Sequence, residues 1–228
     1  NEGAILAARA GRTEITMADL EEASEKVEMG PEKRSKVIAD IDKKITAYHE
    51  AGHAVVNHIL GGETKVHKIT MIPRGPAGGY TMPLPAEERM YRSKKYFLNE
   101  MAEFYGGRAA EEIIFGKDQI TTGASSDIRR ASAIARFMVT QIGMTEKFGP
   151  ILLDGTQDGD MFQRKYYSEE TGKEIDDEVR RLLNEAYQKA IDILNTHRNK
   201  LEAVTKVLLE KETIMGPEFE AIMEDQNI

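Results

Sequence analysis

The chain has 228 residues, 40% of them hydrophobic and 31% charged, which suffices for one substantial core and a smaller appended unit. Its net charge of -8 at pH 7 and the lack of any basic stripe exclude a nucleic-acid-binding face. With no cysteine there is neither a disulfide nor a thiolate metal site, so a metal must be held by His, Asp or Glu.

The opening NEGAILAARAG has no initiator Met and no signal-peptide pattern, and reads as part of something longer. No run approaches the roughly 18 apolar residues that span a bilayer, so the piece itself is expected to be soluble. Residues 2–10 form an Ala-rich helix stopped by Gly11, and residues 16–27 form a second, broken at Met29-Gly30-Pro31. From Lys33 to Leu60 there is no proline and the apolar spacing is helical until Gly61-Gly62. Residues 66–72, VHKITMI, alternate and are rich in β-branched types; Pro73 to Pro76 turn the chain into GGYTM at 78–82. A hairpin or small sheet follows, the one clear β signal. Helical patterns resume over 93–115 and 127–141, and residues 149–171 read as a loop. Finally Ile175, Val179, Leu182, Ala186, Ala190, Ile193, His197, Leu201, Val204 and Leu208 trace a stripe for a long helix or an αα-hairpin. The class is mainly α with a small β element (α+β).

Within the long helix, AYHEAGHAVV places His49 and His53 four residues apart. At about 100° per residue they project from one face, close enough to share an ion. Glu50 lies about 100° round from His49, beside such an ion without displacing a ligand. This is the H-E-x-x-H pattern, in which zinc acidifies a water, the glutamate takes its proton and the metal polarises a carbonyl. The alternative makes both histidines core residues, since His49, His53, Val56 and Leu60 share a stripe. Gly52 counts against it: a glycine inside a helix costs about 1 kcal/mol relative to Ala, and with Ala51 and Ala54 it shapes the helix for close approach.

Catalytic zinc takes three protein ligands and keeps one position open, so a third is needed. His58 falls on the opposite helix face, and Val56 and Ile59 occupy the places of the Gly and third His of the longer motif. His67 and His197 read as structural. The carboxylate candidates are Glu111 and Glu112 in GGRAAEEIIFG and Asp127 in TTGASSDIRRAS. An Asp in a first helical turn is also favoured by capping and the dipole, so spacing leaves Asp127 and Glu111 both open. Gly106-Gly107 either ends one helix and starts another or permits close packing against the long helix, and the second reading is preferred.

HEAGHAVV, IPRG followed by GYT, GGRAAEE and TTGASSD, in this order, resemble the peptidase domain of the FtsH family of membrane-anchored AAA+ zinc proteases over nearly the whole chain. The resemblance implies that His49, His53 and Asp127 bind Zn2+ with Glu50 as catalytic base, and leaves Glu111 a supporting hydrogen bond to a histidine or a buried pair with an arginine. One departure is Gly78-Gly79 before Tyr80, where the family often has a bulkier residue.

By the same resemblance, residues 1–35 are the last helices of an AAA+ lid and residues 36–228 the zinc peptidase domain. It implies unfolded polypeptide substrates, a homo-hexamer, and a membrane-anchored parent whose peptidase domain faces the cytoplasm, with the bacterial inner membrane expected. Membrane contact would come only through segments outside this chain. No G-x-x-x-x-G-K-[ST] occurs here, so ATP and Mg2+ belong to the full-length parent. The competing reading is a non-catalytic helical assembly module with a structural metal or none.

Overall fold

The computed structural model describes residues 1–33, 38–61, 63–75, 77–87, 89–153 and 167–226. Two short helices come first, α1 (Glu2–Arg9) and α2 (Met17–Met29). The start of α2 is fixed by a reciprocal cap: Thr16 accepts from the Asp19 amide, and Asp19 accepts from the Thr16 amide at 2.8 Å. The long helix α3 spans Asp40–Leu60 and ends at Gly61, whose φ of 56° is left-handed. It starts later than its proline-free sequence predicts. Ahead of it the Lys33 amide donates to the Pro73 carbonyl at 2.9 Å, and Glu32 bridges to Arg74. That backbone is therefore tied to the turn at 73–75 instead of to a helical ladder; residues 34–37 of the predicted helix lie outside the described residues.

The β element is a three-stranded antiparallel sheet in the order β2-β1-β3, from β1 (Thr64–Thr70), β2 (Tyr80–Pro85) and β3 (Thr213–Met215). The expected hairpin is thus only part of it, because the C-terminal region returns to cover the other side of β1. A register shift between Val66 and Lys68 bends β1. The Ala86 amide donates to the Glu63 carbonyl at 2.8 Å, which sets the alternation: Pro83 and Pro85 fall at positions facing away from β1. Prolines are tolerated there because those positions have no ladder bond to lose. Among the described residues, the outer side of β2 is unpaired.

The stretch 93–115 divides into α4 (Lys94–Phe104), capped by Ser93, and α5 (Gly106–Phe115). Helix α6 covers Ser125–Thr140, and the C-terminal stripe becomes α7 (Glu169–Thr196) and α8 (Arg198–Lys211), separated at His197, followed by α9 (Gly216–Glu224). The predicted loop at 149–171 gives way to α7 from Glu169, and its residues 154–166 lie outside the described residues.

Helix α3 is the central element, packing on α4, α5, α7, α8, β1 and β2. Ala47, Ala51, Ala54, Val55 and Val56 are fully buried. Small residues let α5 come very close. A Cβ on Gly52 would stand 2.4 Å from the Gly106 carbonyl oxygen, and one on Gly106 would stand 2.6 Å from the Gly52 carbonyl oxygen. The two glycines thus allow a backbone-to-backbone crossing that carries α5 onto the motif face of α3.

Candidate metal centre

One helical turn on α3 brings His49 and His53 together, with their Nε2 atoms 3.1 Å apart. Asp127 arrives from the first turn of α6, its Oδ2 3.5 Å from His49 Nε2 and 3.7 Å from His53 Nε2. A 3-10 turn at Thr122–Ala124 leads into that helix. All three side chains are largely buried.

The opposite ring nitrogens fix what the Nε2 atoms can do. His53 Nδ1 lies 2.8 Å from the Glu103 carbonyl oxygen at the end of α4; a carbonyl only accepts, so Nδ1 carries the proton and Nε2 presents its lone pair. His49 Nδ1 lies 2.7 Å from Glu111 Oε1. Glu111 is fully buried on α5, and its other oxygen accepts from the Thr121 amide at 2.7 Å. It therefore orients His49 and ties the loop before α6 to α5, and it does not point at the shared Nε2 face. Gly107 completes the support, since a Cβ there would fall 2.5 Å from His49 Nε2.

Ligands about 2.0–2.2 Å from a tetrahedral zinc stand about 3.4 Å from one another. The three separations here, 3.1, 3.5 and 3.7 Å, bracket that value. Two neutral imidazoles and one carboxylate also match the donor set of a catalytic site with a fourth position free, so the residues fit zinc. Without a cation the site holds a proton instead. Burial opposes protonation of His49, yet Asp127 and Glu111 beside it outweigh that and raise it to about 10, while burial and the neighbouring His49 charge lower His53 to about 4. A metal ion bound by both Nε2 atoms and Asp127 would displace the His49 proton and take its place as the positive charge between the carboxylates.

Glu50 is buried at the flank of this cluster, and burial pushes its carboxyl up to about 7. Thr81 of β2 meets it, with Oγ1 2.9 Å from Glu50 Oε2. The cluster opens into a groove bounded by β2 on one side and by Tyr96, Glu100 and Glu103 of α4 on the other.

The other candidates lie elsewhere. Glu112 accepts from the Tyr187 hydroxyl at 2.5 Å. His58 faces Glu220 at 3.3 Å, His67 faces Glu21 at 3.8 Å, and His197 marks the junction of α7 and α8. Thr81 and the Glu103 carbonyl were not singled out by the sequence; GYT marked a strand but gave no sign that its threonine reaches α3. Gly106-Gly107 did mark a close approach, though nothing in the sequence said that the histidine ring is what it approaches.

A helical domain with two histidines one turn apart, a carboxylate from a second helix and a glutamate at their flank has the parts of an HExxH metallopeptidase. The chain belongs to peptidase family M41, which matches residues 36–222. It is 51% identical to the ATP-dependent zinc metalloprotease FtsH 3 of Symbiobacterium thermophilum, over 98% of this chain and 36% of that protein. It is 47% identical to FtsH 1 of Thermoanaerobacter sp. (strain X514), also named an ATP-dependent zinc metalloprotease, over 100% of this chain and 38% of the relative. The like-named FtsH of Thermus thermophilus is 47% identical over 98% and 36%. The chain spans about a third of the length of these relatives.

Proposed function

We propose that this chain is the catalytic part of a zinc-dependent endopeptidase that hydrolyses peptide bonds in unfolded polypeptide segments, with His49, His53 and Asp127 as ligands and Glu50 as base. The observation that carries the reading is the convergence of three donor atoms at 3.1 to 3.7 Å with Glu50 buried beside them. Zinc bound there supplies Lewis acidity at the scissile carbonyl. Glu50 Oε2 is held by Thr81, leaving Oε1 to take a proton from the attacking water and return it to the leaving amine. Burial raises this carboxyl above its ordinary value, which suits it to return the proton, while a cation beside it would favour the carboxylate that takes it.

The substrate is an extended chain lying along the outer side of β2, held through main-chain hydrogen bonds with little demand on side chains. Pro83 and Pro85 have no amide to offer, so this edge would hold the substrate mainly through carbonyl oxygens. Residues 1–35 are proposed as the end of an AAA+ lid and residues 36–228 as the peptidase domain. The parent would supply the ATPase with its Mg2+, the hexameric assembly and the membrane anchor, with this domain facing the cytoplasm at a bacterial inner membrane. Among the described residues no helix is long and apolar enough to cross a membrane.

The test is cleavage of a flexible quenched-fluorescent peptide by the purified chain. Activity should vanish with a chelator, return with zinc and be indifferent to ATP, while a stably folded reporter survives. Glu50→Gln should keep the metal and lower kcat by about 10²–10⁴-fold; cleavage at the parental rate would show that Glu50 is not the base.

A further inference from the structure

We infer that Thr81 is a positioning residue for Glu50, and that strand β2 carries it to the reactive carboxylate as part of the catalytic apparatus. This deepens the reading of Glu50 as base and rests on it. Thr81 Oγ1 lies 2.9 Å from Glu50 Oε2 and 3.0 Å from the Glu50 carbonyl oxygen. A hydroxyl has one proton for these two acceptors. The carbonyl is already served by the ladder of α3, which runs uninterrupted past Glu50. The carboxylate oxygen takes the charge-assisted bond, the stronger of the two.

A glutamate has three side-chain torsions, and burial alone does not choose among its rotamers. Among the described residues Thr81 is the one side chain hydrogen-bonded to the Glu50 carboxylate. The strand that delivers it is itself held on both sides of residue 81. Thr81 pairs with Ile69 across the sheet, and neighbouring Tyr80 pairs with Thr70 and donates its hydroxyl to Glu25 of α2 at 2.6 Å. The hydroxyl therefore reaches Glu50 from a fixed backbone, as an orienting group must.

The experiment compares Thr81→Val, which keeps the shape and removes the donor, with Thr81→Ser, which keeps the donor and removes the methyl. Both are assayed in the purified chain on the flexible peptide beside Glu50→Gln, with zinc content and melting temperature measured for each. Thr81→Val should lower kcat by about 10–100-fold, the scale of a misplaced catalytic group. Its KM should stay within about twofold, because the substrate contacts are untouched. Thr81→Ser should restore kcat to within about threefold of the parent, with zinc content unchanged in both and the melting temperature lowered only in Thr81→Val, where the buried Glu50 oxygen loses its donor. A parental kcat in Thr81→Val overturns the inference. So does an equal loss in Thr81→Ser, which would assign the effect to methyl packing, or a loss confined to KM, which would assign it to substrate binding. A fully active Glu50→Gln would instead remove the base assignment on which the inference rests, and the two failures are read from different variants.

Discussion

Two clusters of buried charge flank the β1–β2 ribbon, and they differ in how their charges are answered. On the side of α2, Arg74 is fully buried and meets Glu22, Glu25 at 3.0 Å and Glu32 at 3.0 Å, while Lys68 reaches Glu25 at 2.9 Å. The Tyr80 hydroxyl donates to Glu25, and the Gly30 carbonyl accepts from Arg74. Two cations there meet three carboxylates, and of the cluster's buried side-chain polar atoms Arg74 Nε alone lacks a hydrogen-bond partner among the described residues. On the motif face of α3, His49 and His53 are locked through Nδ1 while both Nε2 atoms converge with Asp127. No Lys or Arg pairs with Asp127 or Glu111 among the described residues. The first cluster is answered by Lys and Arg; the second is answered only by a proton on His49, at the place where a metal ion would sit. Burial of charge does not mark a functional site, whereas convergent lone pairs without an internal counter-ion do.

The largest effect that would sharpen this contrast is expected at Arg74. Arg74→Met removes the buried cation shared by Glu22, Glu25 and Glu32 and leaves Lys68 to answer Glu25; with Glu22 and Glu32 still touching solvent, the cost should be about 3 kcal/mol, the low end for a buried pair broken on one side. Urea unfolding should show that loss, while the molecules still folded bind zinc as tightly as the parent. Weakened zinc affinity in the folded fraction would mean that the two clusters are coupled and the division drawn between them is wrong.

The next test lies inside the metal centre. Glu111→Gln keeps the shape but weakens the bond that orients His49, and should cost about 10–100-fold in zinc affinity. Asp127→Asn replaces an anionic donor with a neutral one, and should cost more. Chelator competition on both folded variants at one pH separates them. If Glu111→Gln releases the metal and Asp127→Asn retains it, Glu111 is the third ligand.

Those two carboxylates show where the sequence stops being legible. The spacing of His49, Glu50 and His53 determines their faces on any helix, so the motif is readable from its spacing alone. Glu111 and Asp127 are 62 and 78 positions away from His49, and only packing decides which meets Nε2 and which meets Nδ1. That packing depends on the Gly52–Gly106 crossing, whose glycines are visible in the sequence but whose partners are not. The main helices follow from periodicity. Strand β3 does not, because three residues between two helices cannot show an alternation, and its place is set by pairing with β1. The start of α3 departs from expectation for a related reason: a local pattern suited to helix loses to long-range bonds between residues 32–33 and 73–74.

The smallest expected effect concerns pH and tests whether the α2 cluster is purely structural. Burial alone raises the Glu25 carboxyl, but hydrogen bonds from Tyr80 and Lys68 and the charges of Lys68 and Arg74 more than offset it, holding Glu25 below its ordinary value. A carboxyl depressed in the folded state contributes stability that is fully present above its unfolded pKa of about 4.3 and is lost as pH falls through its folded pKa. Glu25→Gln should therefore destabilise the protein by about 1.5 kcal/mol near pH 7, the scale of a charged hydrogen bond. The deficit relative to the parent should shrink below about pH 4 as the parent's own carboxylate is protonated. Paired melting curves from pH 7 to pH 3 measure it. A deficit constant over that range would show that Glu25 acts by shape and neutral hydrogen bonding. The cluster beside α2 would then be no more than a polar spacer, and the contrast with the metal centre would rest on the converging Nε2 atoms alone.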